Sequence, residues 1–161
     1  MTILDPKLKR NIRVWHDTGR QEALIRNLLQ SQLSGVLATS TDGEPFCYLM
    51  AFLAADNLQS IFLAVRERSV KHKQLTDNSQ TCFLIDNKQN NHMDTKEASA
   101  LSVHGRIYPS GQSNLKKQFI ARHPGLKPFV ADSETNIMNL LVERYSLVSN
   151  FEDVYIVAPP A

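Results

Sequence analysis

Long apolar runs are missing from this chain. No stretch reaches the roughly 18 residues that a membrane-spanning helix needs, so no span is expected. The opening residues, MTILDPKLKR, hold no apolar segment ahead of a small-residue cleavage site. No secretory leader is read there, and a cytoplasmic location is expected. Cysteine is scarce. Cys47 and Cys82 lie in apolar runs without CxxC spacing and read as two buried thiols in a reducing compartment. The signatures GxxxxGK[ST], GxGxxG, HExxH and GxSxG are all absent. That removes the local marks of phosphate loops, zinc hydrolases and nucleophile elbows, though catalytic groups can still converge in space. The histidines at 16, 72, 92, 104 and 123 show no metal-ligand spacing, and no metal site is expected. A large charge excess is missing too. Eighteen Lys plus Arg against sixteen Asp plus Glu leave +2, which excludes a polyanion-binding surface over the whole chain and gives no nucleic-acid partner.

What remains is the composition of one packed domain: 161 residues, 42% hydrophobic and 21% charged, without repeats or a Gly/Ser linker. At this length folding buries roughly 70% of the chain's surface. Residues 1–20 read as a polar N-terminal arm with Trp15 as its anchor, and residues 21–158 as a single domain. Leu24, Ile25, Leu28, Leu29 and Leu33 recur at helical spacing, and Gly35 stops that helix. Val36–Ser40 is a strand. The Asp42-Gly43 turn leads into a second strand, Phe46–Ala54. Both faces of this second strand are apolar, so it needs the barrel interior on one side and something else on the other, a partner subunit or a cofactor.

Further strands are read at Ser60–Val65, Thr81–Ile85, Ala98–Tyr108, 138–148 and 153–158, with short helices ending near Asn78 and Ala121. Residues 86–97 read as a polar loop. In the long strand, Leu101, Val103, Gly105 and Ile107 take one face, and Ser102, His104, Arg106 and Tyr108 the other. Strands in adjacent runs, without strict βαβ alternation, indicate a mainly β fold: an antiparallel barrel with peripheral helices.

One constellation stands out. Residues 66–73 read Arg-Glu-Arg-Ser-Val-Lys-His-Lys, between a buried strand and a short helix. Ser69 is a good N-cap. Lys71 and Lys73 then fall in the first helical turn, where positive charge opposes the helix dipole by about 0.3–1 kcal/mol each. Free N–H groups, a hydroxyl and several cations at one helix start suit a phosphate. The alternative is a solvated basic turn.

Several pieces, in order, resemble a known family. Gly35-Val36-Leu37-Ala38-Thr39 is similar to a "GvLaT" first strand, and Gly43-Glu44-Pro45 to a "G-x-P" hairpin. Phe62 followed by Ser69-Val70-Lys71 and Leu75 resembles an "F…S-x-K…L" segment. Val103-His104-Gly105-Arg106-Ile107 resembles the long strand, Arg122-His123-Pro124 an "rhP" feature, and Val148–Phe151 the closing strand pair. Together they resemble the FMN-binding split barrels related to pyridoxamine 5'-phosphate oxidase, over roughly residues 20–158.

The resemblance implies a six-stranded antiparallel split β-barrel, a homodimer, and FMN at the subunit interface. It implies that Ser69 and Lys71 hold the FMN phosphate; Arg66 and Arg68 are candidates to replace the family Arg missing at Tyr48, and His72 either faces the phosphate or lies on the surface. It places Thr39 at the ribityl chain or ring edge, and Cys47 and Tyr48 along the isoalloxazine. His104 and Arg106 either pair across strands or reach the partner's flavin. Two departures stand out: Tyr48 occupies a phosphate-gripping Arg position, and the final residues VAPPA lack a substrate-binding Arg/His segment. The expected function is an FMN-dependent oxidoreductase that does not oxidise pyridoxamine phosphate. The alternatives are a non-catalytic carrier of flavin, haem or deazaflavin, and an interaction module with an empty cleft.

Overall fold

The computed structural model describes residues 18–160. The expected anchoring by Trp15 lies outside these residues. Helix α1 (Thr18–Ser31) begins three residues before the domain boundary read from the sequence. Strands β1 (Ser34–Thr41) and β2 (Glu44–Ala51) form a hairpin. Its turn residues Asp42 and Gly43 both have positive φ, 52° and 84°, the Asp-Gly geometry whose twist matches the flanking strands.

The second strand is not continuous. Phe52 leaves the ladder, and β3 (Leu53–Ala54) pairs instead with β4 (Ser60–Arg66). Phe52 is fully buried and meets Phe83 edge-on, with ring centroids 5.4 Å apart. This bend carries the chain from β1's side to β4's side and draws the sheet towards closure. The remaining elements are α2 (Val70–Asp77), β5 (Gln80–Asp86), α3 (Asp94–Glu97), β6 (Ala100–Pro109), α4 (Leu115–Arg122), a 3-10 turn (Pro124–Leu126), α5 (Lys127–Ala131), β7 (Thr135–Ser149) and β8 (Asp153–Val157). The strands run β2-β1-β5-β6-β7-β4-β3, all antiparallel, with β8 also on β7. The result is a mainly antiparallel half-barrel with peripheral helices, as the resemblance implies. It has eight strands rather than six, because the bend at Phe52 splits one and β8 adds a short return. The polar 86–97 segment contains the single turn of α3.

Two cores result. Inside the barrel, Leu37, Phe83, Leu101, Val103, Ile107, Leu140 and Tyr145 pack together, and α1 lays Ile25, Leu28 and Leu29 onto them. Outside it, Phe62, Ala64 and Ile137 are covered by Leu115 and Phe119 of α4 and Val130 of α5. The strand buried on both faces is therefore β4. On β2, Tyr48 and Met50 join the inner core, while Cys47 and Leu49 point outward, Leu49 being 77% exposed. Arg122 ties the two halves, its guanidinium donating to the carbonyls of Leu29, Gln30 and Gln32 at the end of α1 (2.9–3.1 Å). Among the described residues no helix is long and apolar enough to cross a membrane.

Tyr145 fastens the β3–β4 turn. Its hydroxyl donates to the Leu58 carbonyl at 2.6 Å, and burial pushes the phenol's pKa up. Leu58 sits at φ 61°, buried. Tyr145→Phe leaves that carbonyl unpartnered, so a loss of about 1–3 kcal/mol is expected. It should read as a lower urea midpoint with an unchanged slope.

Candidate functional site

The basic segment at 66–73 runs from the end of β4 through a short turn into the first turn of α2. Arg68 takes φ 60° there. Ser69 caps α2: its Oγ accepts from the His72 N–H (3.1 Å) and donates to the Arg66 carbonyl (2.7 Å). The hydroxyl's proton is thus spent on the chain itself. Arg66 is paired with Asp132 (3.0 Å) and lies over the Phe129 ring. Lys73 is paired with Asp77. Arg68 is exposed and His72 half-buried.

Lys71 differs from these cations. It is half-buried, burial lowers its pKa, and among the described residues it makes no ion pair. Its Nζ sits 4.7 Å from the centroid of the Tyr48 ring. The Tyr48 hydroxyl donates to Gln74 Oε1 (2.7 Å), and the Thr39 hydroxyl donates to the same oxygen (3.0 Å). The fold therefore gathers Thr39, Tyr48 and Lys71, through Gln74. Gln74 did not stand out in the sequence. Its only local mark is its place one helical turn after Lys71, on the face α2 buries.

Lys71 borders a cavity of about 290 Å³. Leu49 and Met50 of β2 form one wall, and Phe119, Leu126 and Phe129 of the α4–α5 region form another. Ala51 and Ala64 line it as well, and their short side chains leave it room. The arrangement is an apolar slot with one amine at its edge, the form of a small-molecule site that orients a ligand by a single charge. Cys47 lies on β2's outward face, opposite Ala38, and does not line this cavity.

His104 and Arg106 lie elsewhere, on the outer face of β6. Arg144 donates to His104 Nδ1 (3.4 Å), and Arg106 pairs with Glu143 (3.3 Å), so both engage the neighbouring strand. Burial and then Arg144 hold the His104 pKa down, with Glu143 opposing. The unfolded chain therefore binds this proton more readily. Stability should fall as pH drops below about 6.5, and His104→Gln should flatten that part of a melting-temperature profile. Among the described residues no group of three or more His, Cys, Asp or Glu side chains is placed to hold a metal.

The fold and the slot define a class, the split-barrel proteins. The family profile for pyridoxamine 5'-phosphate oxidase matches residues 22–148, and the chain belongs to that family. Solved structures share the fold. General Stress Protein 26 from Bacillus anthracis str. Sterne is 19% identical with a TM-score of 0.70, covering 86% of this chain and 98% of its own. A heme binding protein from Mycobacterium smegmatis is 15% identical with a TM-score of 0.72; the match spans 83% of this chain and 56% of that longer one. A FAD-binding protein from Mesorhizobium loti is 16% identical with a TM-score of 0.61, over 78% of this chain and 90% of its own. At these identities the likeness is one of fold. A search of curated protein sequences finds no match to this chain.

Proposed function

We propose that this chain binds FMN in the slot beside Lys71 and acts as a flavin-dependent oxidoreductase, as a homodimer with the cofactor at the subunit interface. The observation that carries this reading is the half-buried Lys71 amine, without an ion pair among the described residues, at the edge of an apolar cavity. Partial burial disfavours the charged amine, and an anionic planar ligand would supply a counter-charge while its rings fill the slot. The first-turn N–H groups of Val70 and Lys71 add donors, since Ser69 takes only those of His72 and Lys73. The flavin, when bound, supplies the electron-transfer chemistry. The protein's part is to hold the phosphate, orient the rings and exclude water.

The uncovered face of β2 supports the dimer. Leu49 lies beside Val36 and Leu84 in register, an apolar row that a second copy would cover. Tyr48 stands where the family carries an Arg that helps hold the FMN phosphate. This departure favours a second reading: a carrier of flavin, haem or deazaflavin without turnover. The two are separated by mixing FMN-loaded protein anaerobically with NADH or NADPH. Loss of the flavin's visible absorbance supports the oxidoreductase. Bound flavin that stays oxidised with both donors leaves the carrier.

A further inference from the structure

We infer that Tyr48, held in place by Gln74, is the positioning residue of the anion grip, and that the site tells a phosphorylated ligand from its unphosphorylated form through one amine. This rests on the flavin reading above and extends it. The other cations on this turn are engaged or exposed. Arg66 is paired with Asp132, Lys73 with Asp77, and Arg68 points from an exposed turn. Lys71 alone lines the slot.

A lysine stem is flexible and orders at an entropic cost. Here the Tyr48 ring, 4.7 Å from Nζ, offers the amine a negative π face and confines it beside the cavity. The ring is itself confined. Its hydroxyl and that of Thr39 both donate to Gln74 Oε1, so the buried Gln74 fixes Tyr48 to α2, the helix that carries Lys71. Thr39, Gln74, Tyr48 and Lys71 thus form one chain of contacts from the barrel interior to the slot. Tyr48 acts through Lys71 and supplies no charge of its own.

The test is the ratio of riboflavin to FMN dissociation constants, measured by fluorescence titration of the full chain. A cation–π contact that fixes the amine predicts that Tyr48→Leu lowers this ratio roughly five- to tenfold while riboflavin affinity changes by less than about twofold. Tyr48→Phe, which keeps the ring and loses the tether, should fall between wild type and Tyr48→Leu. An unchanged ratio in Tyr48→Leu, or equal weakening of both ligands, overturns the inference, because Tyr48 would then contribute only packing behind the slot. A second measurement does not need a flavin. In the wild type the Lys71 ε-methylene protons should be shifted upfield by the Tyr48 ring current in NMR, and Tyr48→Leu should remove that shift. Random-coil values in the wild type overturn the positioning even if FMN binds. Failure of both flavins to bind, with the ring-current shift present, removes the flavin reading and leaves the positioning standing.

Discussion

Gly105→Ala is expected to be the most damaging glycine-to-alanine substitution among Gly35, Gly43, Gly105, Gly111 and Gly125. At the bulge between β6 and β7, His104 faces Arg144 and Gly105 faces Val142, so Glu143 is the extra residue. The bulge presses β7's backbone onto Gly105, and a Cβ added there would lie 1.9 Å from the Leu141 carbonyl oxygen. A backbone atom paired in a sheet cannot swing aside as a side-chain tip can. The cost should reach or exceed the ~3 kcal/mol of ordinary overpacking, a large share of a typical total of about 5–15 kcal/mol. Urea unfolding followed by circular dichroism should show a large fall in midpoint, or no folded baseline. Gly43→Ala is the control. Its φ of 84° disfavours alanine, but nothing lies within 4 Å of the new Cβ, so its loss should be about 1 kcal/mol. Equal effects at the two positions would contradict the close-approach account.

Lys71→Ala carries the largest expected effect on binding. A charge-assisted hydrogen bond to phosphate contributes about 1.5–3 kcal/mol, so FMN affinity should fall roughly ten- to hundredfold, with riboflavin affinity nearly unchanged. The pH dependence has a definite sign. Burial lowers the Lys71 pKa, and a bound anion favours the charged form, so binding raises that pKa again. FMN affinity should therefore weaken on the alkaline side, as pH rises through the free protein's lowered Lys71 pKa. Lys71→Ala should abolish that slope. Isothermal titration at several alkaline pH values checks it. A slope that persists in the variant would assign the effect to another group.

Elements with a local signal were readable in the sequence. Alternation along Leu101–Tyr108 sorts the faces of β6 as the structure has them, Asp42-Gly43 marks the hairpin, and Ser69 marks the start of α2. What was hidden depends on distant partners. The break at Phe52 lies inside an uninterrupted apolar run, because barrel closure onto β4 decides it rather than the residues themselves. For the same reason the strand covered on both faces within one chain is β4, whose cover comes from the distant α4 and α5, while the apolar outer face of β2 stays open. The α5 turn, with Pro128 near its start, is too short to show a helical period.

The site divides in the same way. The basic segment was visible, but its charges are sorted by residues far along the chain. Asp132, 66 positions away, engages Arg66 and leaves Lys71 as the cation in the slot. Gln74 reads as an ordinary helical glutamine until Thr39 and Tyr48, 35 and 26 positions away, reach it.

The slot beside Lys71 is proposed to take a flavin. The most direct measurement is the visible absorption spectrum of the freshly purified protein, followed by FMN titration if it is colourless. Flavin bands are expected, or saturable quenching of FMN fluorescence at one site per chain. A colourless protein that FMN leaves unchanged would contradict that proposal.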